Sequence, residues 1–408
     1  MKKYVLIQAR SSSKRLPFKA LLKINEIPII NLLVKRVISK FYKTIVLTSN
    51  DPSDNYLCEH LKKSNIKFYR GDLFDVKKRF LKFTKKFKDE DIIVRLTADN
   101  PFVDRYLIKQ VIIQLKKRNK DYLYTNPKIS GAPEGISVEA FKLKTLRNFK
   151  KNTKIDKEHV TINFDRIEKN TFIFSNNEKK WKNLNTTLDT LSDFYKLKKV
   201  FKNINNPYQI KWQLLCDNLK KKKIKMRTKK NTFLLKSIFT KNLSKNFLDK
   251  IISLKSQKWK FDKKSQLAFF KKNYSGLDIH NLLFLNKKLI GYTALKKSYF
   301  INTQLKKSKI KNNCLVFDAF IIDKSLQKNN LSEILMCFNK SIIHSINLPT
   351  FLICNKRLSY FYKKNDWSRI EDKKIELPDK FKNLNTFSLN FEKKKFFNSS
   401  KFKIFAKF

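Results

Sequence analysis

The chain has 408 residues, 41% of them hydrophobic, which is enough for two or three domains with packed cores and excludes a disordered tail. Its 92 Lys+Arg against 34 Asp+Glu give a formal charge of +58, but the cations are mostly Lys and run through the whole length beside abundant Asn, Ile and Phe. That pattern is compositional drift more than a localised nucleic-acid face, although the positive field still favours anionic substrates. The 5 Cys have no paired C-x-x-C spacing and only 4 His accompany them, which argues against zinc or a disulfide framework and fits a reducing compartment.

Residues 4–7, 44–48 (TIVLT), 67–69 and 91–96 (DIIVRL) are short apolar runs that read as buried strands, with helical spacing between them at 29–39 and 55–64. The first run is too short for the core of a signal peptide and no run approaches a membrane span, so a cytoplasmic protein without membrane insertion is expected. Alternating strand and helix predicts a mostly parallel α/β sheet with ligand loops at the carboxyl ends of its strands. At 219–232, LKKKKIKMRTKKNT is nearly devoid of apolar residues and marks a basic linker between a first domain, 1–218, and a second, 233–392. In the second, 281–295 predicts two strands joined by a turn at Asn286, Lys287 and Lys288. A strand at 314–322, a helix at 330–345, a strand at 350–354 and a helix at 358–364 complete a mixed α+β domain. Residues 393–408 are a basic, Phe-rich tail, expected to be a surface strand with a frayed end.

The segment QARSSSKRLPFKALLKI, residues 8–24, leaves the end of the first strand. Arg10, Ser11, Ser12, Ser13, Lys14, Arg15 and Lys19 together offer the hydroxyls, cations and backbone N–H groups that a polyphosphate needs. Arg is scarce in this Lys-rich chain, yet Arg10, Arg15, Arg70, Arg79 and Arg95 all fall in its first quarter near strand ends. A planar guanidinium is hard to replace with an ammonium where geometry matters. On spacing alone, a solvated basic loop stays open as the alternative.

That segment, followed in order by IVLTSNDPSDN, RGDLFDVKKRF, IIVRLTADNPFVD, PEGISVEAF, KEHVTINF and TTLDTLSDF, resembles the cytidylyltransferases that make CMP-activated sugars, in particular the spore coat polysaccharide biosynthesis family. The resemblance covers most of residues 1–215 and implies a Rossmann-like nucleotidyltransferase domain. It implies CTP binding by Gln8, Arg10, Ser11, Ser13, Arg15, Lys19, Arg70 and Arg79, Mg²⁺ on Asp99 and Asp189, and catalytic roles for Arg15, Lys19 and Asp99. The reaction implied is attack by a sugar oxygen on the α-phosphate of CTP with loss of pyrophosphate. Glu134, Glu139, Glu158 and His159 lie in motifs on the sugar-acceptor side, and whether one of them acts as a base is open; His159 can equally be a structural hydrogen-bonding residue. Each Asp follows an apolar or strand-like run, where a helix cap is the alternative. Two departures stand out. Phe18 occupies a position usually held by Gly and should narrow or reshape the loop, and Asn25 and Glu26 replace Gly-rich residues, where Asn can still take a left-handed conformation.

The second domain resembles the GNAT acyltransferase fold, most clearly at CLVFDAFIIDKSLQKNNLSEILMCFNKSII. The resemblance implies acetyl-CoA binding by Gln327, Asn329, Asn330 and Ser332 at a helix N-terminus. Tyr362 takes the place of the Tyr that protonates the departing thiolate, a core Tyr being the alternative. The segment LKSQKWKFDKKSQLAFF, with Trp259 and Gln266, belongs to the acceptor side without an assigned role. The combined expectation is a two-domain enzyme of surface-glycan synthesis that activates a sugar, a nonulosonic acid in particular, and acetylates an amino sugar. A homodimer is a further expectation, because the resembling cytidylyltransferases often dimerise. The alternatives are a scaffold with degenerate sites, a nucleotidyltransferase using another nucleotide, and a nucleic-acid binder on charge alone.

Overall fold

The computed structural model describes residues 1–408 except 126, 128, 151–152, 165–169, 222–231, 304–309, 328–329, 378–380, 382, 392–401 and 406–408. The chain divides into two compact units, Met1–Asn231 and Thr232–Phe408. Most of the 219–232 linker therefore lies outside the described residues. No helix among them is long and apolar enough to cross a membrane.

The first unit opens with β1 (Lys3–Gln8), in which Val5, Leu6 and Ile7 are all fully buried. Such a continuous run is what a strand covered on both faces requires. A small hairpin of β2 (Lys23–Ile24) and β3 (Ile27–Pro28) leads to α1 (Ile29–Val37), β4 (Lys43–Ser49), α2 (Asn55–Lys63), β5 (Phe68–Gly71), α3 (Val76–Phe83), β6 (Ile92–Thr97) and α4 (Arg105–Lys117). After these come β7 (Tyr122–Tyr124), β8 (Glu139–Lys142), α5 (Leu143–Asn148), α6 (Lys154–His159), α7 (Leu191–Phe201) and α8 (Trp212–Lys221). The sheet order is β5-β4-β1-β6-β8-β7. Strands β5, β4, β1 and β6 run parallel, while β8 is antiparallel to both β6 and β7. The connections run outward on one side of β1 and then return to place β6 on its other side, so β1 and β6 meet at a switch point whose carboxyl ends open a crevice. One core cluster, including Leu6, Leu47, Phe80, Ile93 and Phe141, packs one face of this sheet.

The second unit contains β9 (Phe233–Phe239), α9 (Lys245–Ser256), α10 (Lys263–Asn273), β10 (Ile279–Leu285), β11 (Lys288–Asn302), β12 (Asn312–Ile322), α11 (Leu331–Ile346) and β13 (Thr350–Cys354). It ends with α12 (Ser359–Lys364), β14 (Ser368–Ile370), β15 (Ile375–Glu376), β16 (Asn385–Leu389) and β17 (Phe402–Phe405). The main sheet order is β14-β16-β13-β12-β11-β10-β9, with β17 pairing β11 and β15. The β10–β11 turn places Asn286 and Lys287 at φ 49° and 70°, and two successive positive φ values match the twist of a hairpin. Strands β12 and β13 are parallel, but their register holds only Leu315↔Thr350 and Val316↔Phe351, after which they part. The tail expectation changes for Phe402–Phe405, because Phe402 and Ile404 alternate into a core cluster with Phe300 and Phe351.

Candidate active site

The first loop is fastened before any ligand arrives. Asp54, fully buried, accepts from the Ser11 N–H at 2.6 Å, from Thr48 Oγ1 at 3.1 Å and from the Ser49 N–H at 3.2 Å, as well as from Ser49 Oγ. One carboxylate thus staples the loop to the end of β4. Asp54 was missed in the sequence reading, and its place in SNDPSDN directly after a strand is the signal that could have found it. Phe18 donates its N–H to Ser11 O at 3.0 Å with φ 55° and ψ 22°, and its ring is buried. The turn therefore keeps the glycine-type backbone while the ring goes into the core. Asn25 and Glu26 also hold positive φ, 47° and 63°. Ser13 Oγ accepts from the Leu16 N–H at 3.3 Å, and Ser11 Oγ is buried with no hydrogen-bond partner among the described residues.

The Lys19 ammonium lies 2.5 Å from Asp99 Oδ2 and 3.3 Å from Asp189 Oδ1, and donates to Leu188 O at 3.2 Å. Arg15 Nη2 reaches the same Asp189 oxygen at 3.0 Å. Backbone pairing explains the convergence: the Ala98 N–H donates to Gln8 O at 2.9 Å, and the Leu188 N–H to Asp99 O at 2.8 Å. Neither Asp is a helix cap. Asp104 caps α4, and Thr190 with Asp193 forms the capping box of α7. Burial pushes the Asp99 carboxyl up, but the Lys19 ammonium, by charge and hydrogen bond, and a hydrogen bond from Thr97 outweigh it and hold the group below its ordinary value. Two carboxylates converging on one cation fit a Mg²⁺ ion that takes its other oxygens from phosphates and water. No group of three or more His, Cys, Asp or Glu among the described residues could hold a metal without them.

Around this centre the other expected residues separate. Arg10 Nη2 pairs with Glu158 Oε1 at 3.1 Å, both half-exposed. Glu134 is exposed and accepts from Asn185 Nδ2 at 3.0 Å, beside a Thr186 N–H bond to Glu134 O at 2.7 Å. Next to it Gly135 has φ +90°, and a Cβ there would meet Thr187 N at 2.6 Å, so only glycine lets this loop lie against the segment leading to Asp189. His159 is exposed at the end of α6.

Three residues take other roles. Glu139 is 4% exposed, holds Arg95 Nη1 at 2.8 Å and accepts from Thr161 Oγ1, while Arg95 Nη2 donates to Gln8 Oε1 at 3.1 Å. Gln8 and Glu139 thus sit on one buried relay through Arg95. Arg70 donates to Ser49 O at 2.8 Å, Asp51 O at 3.1 Å and Asn55 Oδ1 at 2.8 Å. Arg79 is 1% exposed and donates to Asp72 O at 2.9 Å and Leu47 O at 3.4 Å. Both arginines clamp loops through backbone carbonyls in this structure.

Residues 4–214 match the family model described as Cytidylyltransferase. The chain belongs to the cytidylyltransferase family. It is 34% identical over 201 residues to an uncharacterized protein, MJ1063, of Methanocaldococcus jannaschii, covering 48% of this chain and 81% of the relative. It is 30% identical over 208 residues to the spore coat polysaccharide biosynthesis protein SpsF of Bacillus subtilis, covering 48% and 85%. A solved cytidylyltransferase structure from Leptospira borgpetersenii is 27% identical, covers 54% of this chain and 95% of its own, and superposes with a TM-score of 0.49.

In this cytidylyltransferase the second unit lies beyond the family match. Asn330 holds φ 44° and ψ 14° immediately before α11, so Asn keeps the left-handed turn expected of it. Ser332 is half-buried in the first turn of α11 and Gln327 is exposed, while Asn329 lies outside the described residues. Tyr362 is 6% exposed and packs with Phe317, Phe361, Trp367 and Phe387, so core packing accounts for its position. Burial pushes its hydroxyl well up, which keeps it protonated.

Proposed function

We propose that Met1–Asn231 transfers CMP from CTP to a hydroxyl of a sugar, a nonulosonic acid in particular, for surface polysaccharide synthesis. The observation that carries this is the Lys19 ammonium held between Asp99 and Asp189, with Arg15 alongside, at the carboxyl ends of β1 and β6. In the reaction a sugar oxygen bonds to the α-phosphorus, the bond from that phosphorus to the bridging oxygen breaks, and pyrophosphate leaves with the electron pair. The hydroxyl proton passes to solvent or to a base. Mg²⁺ held by Asp99 and Asp189 would neutralise phosphate charge. Lys19 and Arg15 orient the triphosphate and spread the charge that builds on the leaving group. Arg10 and Arg15 exchange their carboxylate partners for phosphate, so the ion pairs hold the guanidinium groups in place for the nucleotide. Asp99→Asn keeps the side-chain shape and removes one charge. Pyrophosphate release from CTP with Mg²⁺ and a sugar acid should fall by about a hundredfold or more, the scale of losing a preorganised electrostatic contact, and unchanged turnover would remove Asp99 from the site.

For Thr232–Phe408 we infer acetyl-CoA-dependent N-acetyl transfer to an amino sugar. Two observations support this reading. The parting of β12 and β13 after two residue pairs leaves backbone groups on their facing edges for an extended amide chain, and Asn330 turns the chain so that the N-terminus of α11 can receive a pyrophosphate.

A further inference from the structure

The second unit encloses a cavity of about 410 Å³ lined by Lys255, Trp259, Phe261, Gln266, Phe269 and Asp318, among other residues. Its walls come from α9, α10 and β12. The wall on β12 is shaped by a bulge: the β11–β12 register shifts between Tyr292 and Ala294, and Ala319 sits at φ 55°, a conformation that alanine rarely adopts.

Lys255 is the unusual member. It is 4% exposed, its ammonium lies 4.9 Å from the ring of Phe269 and 5.6 Å from those of Trp259 and Tyr274, and among the described residues that ammonium has no hydrogen bond or ion pair. Ring faces offset part of the cost of burying a cation, but they satisfy none of its three N–H donors in the manner of an oxygen acceptor. Asp318 is already engaged, since Tyr274 Oη donates to Asp318 Oδ2 at 2.9 Å and Lys296 Nζ lies 3.5 Å from the same oxygen.

We propose that this cavity binds a small monocarboxylate, its two oxygens on the Lys255 ammonium and an apolar or flat face of its body against Trp259, Phe261 and Phe269. One carboxylate satisfies the open N–H donors of the lysine. A phosphate monoester would bring a second charge into a largely apolar cavity in which Lys255 is the one cation among the lining residues. Residues 255–269 of the lining belong to the segment assigned above to the acceptor side, so the proposal names what that side holds, and it is tested without acetyl-CoA so that it stands or falls apart from acetyl transfer.

The test is titration calorimetry of the full 408-residue chain with benzoate and cyclohexanecarboxylate against their neutral carboxamides. The carboxylates should bind at least about tenfold more tightly than the amides of the same shape, the preference expected of a buried charge-assisted contact. Lys255→Met should bring the two classes to within about twofold of each other, as expected once the charge-assisted contact is gone. Lys264→Met, which removes an exposed lysine on α10, should leave the preference intact and so rule out a general attraction of anions to a cationic chain. If circular dichroism shows Lys255→Met unfolded, Lys255→Gln replaces it. Equal affinity for carboxylate and amide in the unmodified chain, or a preference that survives loss of Lys255, overturns the proposal.

Discussion

At the scale of single residues, Phe18 shows how a loop keeps a left-handed turn without a glycine. A non-glycine residue in the left-handed region costs about 1–2 kcal/mol, whereas removing a buried Phe ring costs about 3–5 kcal/mol. Burial outweighs strain, and Phe18→Gly should lower stability by ~2–3 kcal/mol in urea unfolding. A more stable variant would mean that strain dominates the loop. The residues of the site differ in how far the sequence betrays them. Asp99 stands out in the sequence because it follows the apolar run of β6, whereas Lys19 and Asp189 lie outside any strand and are marked by the ordered motifs of the resemblance. Arg70 and Arg79 are harder to read for a physical reason: the scarcity of Arg marks a need for fork geometry, and a fork serves backbone carbonyls as well as phosphates. No spacing rule tells the two apart. The ion pair of Glu139 was not legible, because its partner Arg95 lies 44 residues away in the sequence and meets it through the β6–β8 register.

At the scale of elements, the strands and helices were largely legible, since buried parallel strands are short apolar runs and half of the helices start at a side-chain cap. The bulge at Ala319 and the core role of β17 were not, because both depend on which strand lies opposite. The same dependence makes β10 pH-sensitive. His280 is fully buried, its Nδ1 lies 2.9 Å from Tyr292 Oη and its Nε2 2.9 Å from Thr240 Oγ1. Burial first, and then the charge of Lys255, push its pKa from 6.5 down to about 4, against a smaller upward pull from Asp318. The folded ring resists a proton that the unfolded chain accepts. Its contribution is therefore complete above pH 6.5 and is lost as pH falls from 6.5 to about 4. The loss should be on the order of 3 kcal/mol. Denaturant titrations across this range should show it, and His280→Gln should flatten the curve; an equally steep curve in the variant would assign the effect to another group.

At the scale of the whole molecule, each unit has its own buried clusters, so each is expected to unfold in its own cooperative transition, which scanning calorimetry of the chain should resolve as two. The two proposed activities can then be separated without cutting the protein. A ligand that binds only a native unit raises the transition of that unit alone, by about 2.7 kcal/mol at a hundred times its dissociation constant. In scanning calorimetry of the intact chain, CTP with Mg²⁺ should move one transition and acetyl-CoA the other. The acid-sensitive transition, marked by its response to His280→Gln, should be the one that acetyl-CoA moves and CTP leaves alone. If acetyl-CoA moves neither transition, or moves the one that answers to CTP, the second unit is not an acetyl-CoA site, and the parting of β12 from β13 serves some other chain. If CTP moves neither, the ion pairs of Lys19, Arg15 and Arg10 are too strong for a triphosphate to displace, and the scaffold alternative raised by the missing glycines describes the first unit.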